Sequence, residues 1–484
     1  MTARVLFHEA AIAPAAMEEA VLRGASGLER LGVRQGDVVC ILLHNSPAFL
    51  EVKLAARLLG AYWCPINWHY KAEEAGWILR DSGATVLVTD PALRSQAAAG
   101  IPPELPVVAD WSGFVEREAA WRGEARAPGA LMPYTSGTTG RAKGVRRFPQ
   151  TPEQIARLQQ GFAQVLGIQA GMRALHPAPL YHSAPSGYAV QAALHGELLV
   201  LEERFDAERA LALIERHRLT HAYLVPTMYV RLLRLPESAR KKYDLSSIRF
   251  VASTGSPCPA EVKRAMIDWW GPVFNEAYAA SELGYVTSIS SEEALRKPGS
   301  AGRPAGEARI RILDESGREL PRGQVGLIYA RQPAFPDFTY NNHPEARRAI
   351  ERDGLISLGD MGFLDEEGYL YVCDRASDMV ISGGVNIYPA EIEAVLAMMP
   401  GVRDCAVFGI PDEEFGESLA AAVQAEPGFT LDQTSVRGFL AERIAGYKVP
   451  RVVTFHAELP REESGKIFKR RLRAPYWEKA GRRI

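Results

Sequence analysis

The chain has 484 residues, of which 47% are hydrophobic and 24% are charged, and its formal net charge is -2. This length exceeds that of one typical domain core, and this composition is that of a globular protein rather than a disordered one. A surface dedicated to nucleic acid normally carries a basic excess, so the near-neutral charge argues against that class and makes small molecules the expected partners.

The cysteines and the N-terminus predict a cytoplasmic protein. The five cysteines form no Cys-x-x-Cys pair and no zinc-spaced cluster with histidine, which is typical of reduced thiols. His8, Glu9, Glu18 and Glu19 interrupt the N-terminus before a secretory apolar core could form. No run of about 18 uncharged apolar residues occurs, so no membrane span is predicted. The expected oligomeric state is a monomer or a homodimer.

The N-terminal part of the chain alternates predicted strands and helices. The segment DVVCILLHNSPAFLEVKLAARLLGAYWCPIN (37–67) predicts a buried strand, an amphipathic helix and a second strand, and ATVLVTD (84–90) predicts the next strand. This alternation predicts a mostly parallel sheet covered by helices. Ligands of such sheets bind at the loops beyond the strand ends.

The C-terminal part of the chain has two further regions. RIRILD, GLIYAR and YLYVCD predict a β-rich subdomain, and the helix–strand–helix pattern of PAEIEAVLAMM, CAVFGI and SVRGFLAERI predicts a small α+β domain. The predicted fold class is therefore α/β, with a large N-terminal domain of parallel and mixed sheets, helices and the β-rich subdomain. We place this domain at residues 1–374, a hinge at 375–378 and the small domain at 379–484.

The segment YTSGTTGRAKGV (134–145) combines hydroxyls, glycines and two cations, as a phosphate-binding loop would. Its glycines would let backbone amides approach an anion, and Lys143 and Arg141 add positive charge. It does not end in the Gly-Lys-Ser/Thr of the Walker pattern, since Ala142 precedes the lysine and Gly144 follows it. A solvated loop between two elements is the alternative interpretation.

Several further segments occur in a fixed order. They are GSP (255–257), NEAYAASE (275–282), KPGSAGRP (297–304), DGLISLGD (353–360), DRASDMVISGGVNIYPAEIE (374–393) and LPREESGKIFKRRLR (459–473). With YTSGTTGRAKGV, these segments make the chain resemble the adenylate-forming superfamily of acyl-CoA synthetases, luciferases and peptide-synthetase adenylation domains. The resemblance extends from about Gly27 to Arg473.

The resemblance implies an ATP- and AMP-binding site. Its residues would be Thr135, Ser136, Gly137, Thr138, Thr139, Gly140, Lys143, Gly255, Ser256, Pro257, Asn275, Tyr278, Ser281, Asp360 and Arg375. Tyr278 would stack on adenine, and the two carboxylate oxygens of Asp360 would accept both ribose hydroxyls. Glu282, assisted by Thr138, would hold Mg²⁺. Considered alone, Tyr278 would be interpreted as a core aromatic residue and Glu282 as a surface acid.

The resemblance also implies the catalytic and acyl-binding residues. Lys466 would bridge the substrate carboxylate and the α-phosphate, although a basic tail of this kind is otherwise typical of a solvated helix face. His182 would lie beside the reacting acyl group, with a core histidine as the alternative. The acyl pocket would be lined by Ala184, Tyr188, Val225, Met228, Tyr229, Ala279 and Ala280.

The last implied features concern CoA and domain movement. Gly383 and Gly384 would line the tunnel for the pantetheine arm, because glycine lets a thin chain pass close to the backbone. A tight turn before the following helix is the alternative. Ser377 would be the hinge of a mobile C-terminal domain, at a position where the family usually has aspartate or lysine.

These features predict an AMP-forming acyl-CoA synthetase of fatty acid metabolism that uses ATP, Mg²⁺ and CoA. ATP and a medium- or long-chain fatty acid or an aryl acid would give an acyl adenylate and pyrophosphate, and CoA would then displace AMP. The segment PLYHSAP (179–185) lacks the aspartate of amino-acid-activating members, which argues against an amino acid. Two alternatives stay open: a ligase that loads a separate acyl-carrier protein, and a nucleotide-binding protein that has lost catalysis.

Overall fold

The computed structural model describes residues 1–127, 129–135, 142–383, 385–461 and 467–479. It confirms the predicted α/β fold class, with a large N-terminal and a smaller C-terminal part. By their internal contacts the residues form two compact units. The first unit contains Met1–Ile310 and Ala330–Ile356, and the second contains Arg311–Tyr329 and Ser357–Ile484. The β-rich segment thus clusters largely with the C-terminal residues, and the hinge at 375–378 stays a prediction.

The elements of the described residues follow in chain order. The helices are α1 (Pro14–Arg30), α2 (Pro47–Leu58), α3 (Ala72–Asp81), α4 (Pro91–Ala97), α5 (Trp111–Glu116), α6 (Pro152–Leu166), α7 (Ser183–His195), α8 (Ala207–His217), α9 (Pro226–Leu233), α10 (Glu237–Arg240), α11 (Ala260–Trp270), α12 (Ser291–Arg296), α13 (Pro344–Ala349), α14 (Pro389–Leu396), α15 (Gln433–Ala441) and α16 (Lys469–Lys479), with 3₁₀ turns at Ala98–Gly100 and Gly446–Lys448. The strands are β1 (Arg4–Phe7), β2 (Ala10–Ile12), β3 (Val38–Leu42), β4 (Tyr62–Pro65), β5 (Ala84–Thr89), β6 (Val107–Val108), β7 (Tyr134–Thr135), β8 (Lys143–Arg147), β9 (Arg173–His176), β10 (Leu198–Leu201), β11 (His221–Leu224), β12 (Phe250–Ser253), β13 (Phe274–Glu276), β14 (Ala279–Ala280), β15 (Gly284–Tyr285), β16 (Thr287–Ser290), β17 (Arg303–Pro304), β18 (Arg309–Leu313), β19 (Gly326–Arg331), β20 (Phe338–Tyr340), β21 (Glu351–Arg352), β22 (Leu355–Ile356), β23 (Asp360–Leu364), β24 (Leu370–Arg375), β25 (Val380–Ser382), β26 (Val385–Ile387), β27 (Val402–Asp412), β28 (Gly416–Ala425) and β29 (Val452–Phe455).

The first unit contains two largely parallel sheets. One has the order β4-β3-β5-β6 and is parallel throughout. The other has nine strands in the order β17-β16-β13-β12-β11-β9-β10-β1-β2, and it is parallel from β13 to β1. Every residue of β3, β4, β10 and β11 is buried, as continuous apolar strands of parallel sheets should be. The predicted strand–helix–strand of residues 37–67 is confirmed as β3, α2 and β4.

Helix starts in this unit follow local sequence rules. Pro47 occupies the first turn of α2, where a missing N–H costs no hydrogen bond. Asp90, predicted only as the end of a strand, caps α4, because its Oδ1 accepts from the backbone N–H of Leu93 at 2.9 Å. The loops after the parallel strands therefore enter their helices in a defined direction.

The second unit contains a mixed sheet in the order β26-β25-β28-β27, with β29 parallel to β28. Helices α14 and α15 contribute Ile392, Leu396, Val436 and Leu440 to an apolar core with this sheet. The predicted helix PAEIEAVLAMM and strand CAVFGI are confirmed as α14 and the middle of β27. Within the described residues of both units, no helix is long and apolar enough to cross a membrane.

Candidate active site

The base of the predicted phosphate loop is an antiparallel strand pair. Tyr134 pairs with Gly144 and Thr135 with Lys143, and the Tyr134 hydroxyl donates to Asp81 Oδ2 at 2.7 Å. The predicted residues Ser136, Gly137, Thr138, Thr139 and Gly140 lie outside the described residues. The two ends of the segment are thus adjacent, as a phosphate-binding loop between two strands requires.

Glu282 links the loop base to the rest of the site. Its Oε1 accepts hydrogen bonds from Thr135 Oγ1 at 2.9 Å and from the Tyr340 hydroxyl at 3.2 Å, and the residue is 7% exposed. Lys143 Nζ lies 5.6 Å from the centroid of the Tyr340 ring. Three predicted residues therefore meet around Tyr340, which the sequence interpretation missed. No sequence motif marks Tyr340, which lies on β20, a strand that pairs with β8 directly after the loop.

The chemistry of this cluster suits a magnesium ion held partly by phosphate oxygens. Among the described residues no group of three or more His, Cys, Asp or Glu side chains could hold a metal ion alone. Mg²⁺ in nucleotide sites is normally held by one or two carboxylates together with substrate phosphates. A single buried carboxylate at the base of a phosphate loop fits that pattern.

Hydrogen bonds join the predicted acyl and nucleotide segments. The Ser183 and Ser281 hydroxyls are 2.8 Å apart, and Arg147 donates to the Ser281 carbonyl as well as to that of Pro336 at 3.0 Å. Burial lowers the pKa of Arg147 to about 10, and Glu282 opposes that shift. His182 precedes α7, is half-buried, and has its ring 4.4 Å from that of Tyr181. The segments around residues 182 and 281 are therefore neighbours.

The predicted adenine-binding residues lie at one edge of the nine-stranded sheet. Gly255, Ser256 and Pro257 follow β12 and are exposed, and the φ of Gly255 is +104°, a conformation that favours glycine. Asn275 and Tyr278 lie in and just after the parallel neighbour β13, and both are half-buried. The carboxyl ends of neighbouring parallel strands lie side by side, so the 255–257 strip after β12 and Tyr278 after β13 follow adjacent strand ends.

Most of the predicted acyl-pocket residues belong to one apolar cluster. Tyr188, Met228 and Tyr229 are buried in it, while Ala184, Val225 and Ala279 are half-buried against it. Ala280 is also half-buried and is paired with Gly284 in the short β14–β15 hairpin. The first unit thus places Ala279 against the same apolar core that contains the buried tyrosines.

Two aromatic neighbours of Tyr188 were missed by the sequence interpretation. The Tyr188 ring lies 5.3 Å from that of Tyr223 and 5.8 Å from that of His176. Burial lowers the pKa of His176 to about 3, so this imidazole is neutral at physiological pH. Both residues belong to buried strands, where a side chain facing a ligand pocket is indistinguishable in sequence from one in a core.

The remaining predicted residues belong to the second unit. Asp360 and Arg375 are paired in the antiparallel strands β23 and β24, with Arg375 Nε 3.4 Å from Asp360 Oδ1. Gly383 lies at the turn between β25 and β26, with a φ of +56°. The Ser377 carbonyl accepts from Arg473 Nη1 at 3.0 Å. Gly384 and Lys466 lie outside the described residues.

Family models match both parts of the chain. The model described as "AMP-binding enzyme" matches residues 8–335, and the model described as "AMP-binding enzyme C-terminal domain" matches residues 391–466. A feruloyl-CoA synthase of Amycolatopsis sp. is 35% identical over 96% of this chain and 94% of its own length. A long-chain-fatty-acid–CoA ligase of Mycobacterium tuberculosis is 34% identical, over 94% and 91%.

A solved structure of a CoA synthetase is also similar to this chain over nearly its whole length. The o-succinylbenzoate CoA synthetase of Bacillus subtilis, in complex with its acyl-adenylate intermediate, superposes with a TM-score of 0.84. It is 30% identical in sequence, and the match covers 97% of this chain and 94% of that chain. The likeness therefore includes both units rather than one of them.

Proposed function

Because the chain belongs to the family of AMP-binding enzymes and is an AMP-forming acyl-CoA ligase that works through an acyl adenylate, we propose that its acid is a medium- or long-chain fatty acid or an aryl acid. The observation that carries this proposal is that Tyr188, Met228 and Tyr229 are buried in the same apolar core against which the small Ala279 packs. None of the residues proposed to line the acyl pocket carries a charge that could pair with a second carboxylate or an amine. The relatives named for feruloyl and long-chain acyl groups support both acid classes.

A panel of acids tests this proposal. The purified protein is given ATP, Mg²⁺, CoA and one acid at a time, and CoA-dependent release of AMP is measured for acetate, propionate, octanoate, palmitate and ferulate. We expect activity with the longer or aromatic acids, and a preference for acetate or propionate would contradict the proposal. Replacing CoA with an acyl-carrier protein in the same assay tests the carrier-loading alternative.

In the proposed first half-reaction, the acid's carboxylate attacks the α-phosphate of ATP and pyrophosphate leaves. Lys143 and Lys466 would offset the negative charge of the phosphates and of the transition state. Tyr278 and the 255–257 strip would bind adenine, and Asp360 would accept the ribose hydroxyls. Thr135 and Tyr340 would orient the Glu282 carboxylate by their hydrogen bonds to Oε1.

Glu282, with Thr138, is the proposed protein ligand of Mg²⁺, which when bound would neutralise phosphate charge. We expect Glu282→Gln to raise the Mg²⁺ concentration for half-maximal adenylation by about tenfold or more, since an amide is a weaker ligand for a hard cation. The measurement is pyrophosphate exchange against Mg²⁺ concentration. Tyr340→Phe is the control, because it keeps the carboxylate and removes one donor, and its midpoint should shift less. An unchanged midpoint in Glu282→Gln would exclude the assignment.

For the second half-reaction we propose that Gly383 and Gly384 line the path of the pantetheine arm. Gly383 donates its backbone N–H to the Phe415 carbonyl at 2.8 Å, and a Cβ at this glycine would lie 3.0 Å from the Phe415 ring. A larger residue would therefore press on Phe415 and narrow the path.

Ser377 is the proposed hinge between the two half-reactions. Ser377→Pro should slow thioester formation from supplied acyl adenylate more than it slows adenylation, because proline fixes φ and restricts the preceding residue. The two half-reactions are assayed separately, with Ser377→Ala as the control for losing the hydroxyl. If the proline variant forms thioester at the wild-type rate, residue 377 is not the hinge.

A further inference from the structure

The two ends of the segment that carries Lys466 are joined by backbone contacts. Arg461 and Ile467 form an antiparallel bridge, and the Phe468 N–H donates to the Pro460 carbonyl at 2.7 Å. Residues 462–466 lie between these contacts in the sequence and outside the described residues. The backbone contacts of residues 460, 461, 467 and 468 therefore hold the two flanks of this segment close to each other.

The flank that precedes the segment is attached to β27, a strand of the sheet of the second unit. Arg461 Nη2 forms an ion pair with Asp404 on β27. Arg461 is exposed, so we expect this pair to add little stability by itself. The pair places the side chain of Arg461 beside β27.

The flank that follows the segment is attached through a largely buried ion pair. Lys469 Nζ lies 2.9 Å from Glu393 Oε1, and the two side chains are 15% and 22% exposed. Glu393 belongs to α14, and the same Oε1 accepts from the backbone N–H of Val407 on β27 at 2.6 Å. The first residue of α16 is thus fastened to both a helix and a strand.

Electrostatics and packing both favour the attachment of the start of α16 to α14 and β27. Burial alone would lower the pKa of Lys469, but the carboxylates of Glu393 and Asp374 raise it, so the ammonium stays charged. The side chain of Ile467 packs against the apolar cluster that contains Phe408 and Leu472. Breaking a buried pair by removing one partner leaves an uncompensated charge, which favours movement of the helix start.

We propose that the Lys469–Glu393 ion pair positions Lys466 for adenylate formation, an inference that rests on the role proposed for Lys466. Lys469 lies three residues after Lys466, so a shift of the helix start is transmitted to the catalytic ammonium through a short stretch of chain. Displacement of a reacting or stabilising group by about 1 Å can cost about 100-fold in rate. Lys469 is therefore a positioning residue rather than one more cation of a basic tail.

The test compares Lys469→Met with Lys469→Arg, and with Arg471→Met as the matched control. Arg471 is exposed on the same helix. Adenylation is measured by pyrophosphate exchange, and the second half-reaction by thioester formation from supplied acyl adenylate and CoA. We expect Lys469→Met to lower the kcat of adenylation by about 10- to 100-fold, with little change in KM for ATP. Thioester formation should stay within about twofold of wild type, and Lys469→Arg should restore most of the adenylation rate.

A double variant separates positioning from general destabilisation. In a Lys466→Ala background, Lys469→Met should cause no further loss of adenylation, because the group it positions is already absent. An additional loss there, or equal losses in both half-reactions, would overturn the proposal. If Lys469→Met does not fold, Glu393→Gln keeps the side-chain volume and is judged by the same criteria. Full adenylation by Lys466→Ala alone would instead refute the role proposed for Lys466.

Discussion

Lys466→Ala is expected to lower the rate of adenylate formation by about 10²- to 10³-fold, the usual effect of removing one group that stabilises transition-state charge. Charge builds on the α-phosphate as the carboxylate attacks and pyrophosphate leaves, and an ammonium that contacts both anions lowers the free energy of that state. The loss should therefore appear in kcat, with a smaller change in KM. Pyrophosphate exchange with saturating acid and ATP measures it.

The same variant should still convert supplied acyl adenylate and CoA to thioester. In that step AMP leaves and no pyrophosphate is formed, so the charge that Lys466 is proposed to offset does not develop. Arg471→Ala serves as the control, because it removes a cation from the exposed face of α16. Equal losses in both half-reactions would show that Lys466 does not serve adenylation selectively.

Ala279→Trp is expected to reverse the acid preference of the enzyme. In the acetate-activating members of the superfamily that the chain resembles, a tryptophan follows the aromatic residue of this motif and closes the acyl pocket, and we propose that Ala279 and Ala280 leave it open here. Each methylene that enters an apolar wall contributes about 0.8 kcal/mol of binding, so six additional methylenes correspond to about 10³-fold or more. The wild-type enzyme should therefore prefer octanoate to acetate by orders of magnitude, and the tryptophan variant should lose that ratio.

The measurement is kcat/KM for acetate, octanoate and ferulate in both proteins. Ala279 pairs with Tyr285 in the β14–β15 hairpin, so the indole is introduced at a position with a defined backbone. Ala99→Trp is the control, because it adds an indole at an exposed site that is distant in sequence from the YAAS motif. An unchanged octanoate-to-acetate ratio in Ala279→Trp would mean that residue 279 does not limit the pocket.

The sequence predicted the architecture wherever the signal was local. The alternation of β3, α2 and β4 and the helix α14 each follow from the periodicity of hydrophobic residues and from the glycine and proline residues at the element ends. The N-terminal strand β1 was missed, because its partner β10 lies almost two hundred residues away and nothing in four residues indicates that pairing.

The candidate site was predicted through its motifs, and the contacts between the motifs were not. Thr135 and Glu282 are separated by 147 residues, and their hydrogen bond depends on how β7 and the loop after β14 are placed by different sheets. Tyr340 lies in a short strand without a motif, so its contact with Glu282 could be found only in the folded chain. The partnership of Lys469 with Glu393 was missed for the same reason, since each belongs to a surface-like charge pattern.

Two of the residues proposed to contact the acid lie on helices, whereas those proposed to contact adenine follow strands of the nine-stranded sheet. Tyr188 lies on α7 and Met228 on α9, whereas the adenine strip follows β12 and Tyr278 follows β13. We therefore expect substitutions at apolar positions of the two helices to alter the size and shape of the acid that is accepted more than they alter nucleotide binding. Libraries for redesigning acid selectivity should therefore be confined to the apolar positions of α7 and α9 and should keep Ser183, whose hydroxyl lies 2.8 Å from that of Ser281.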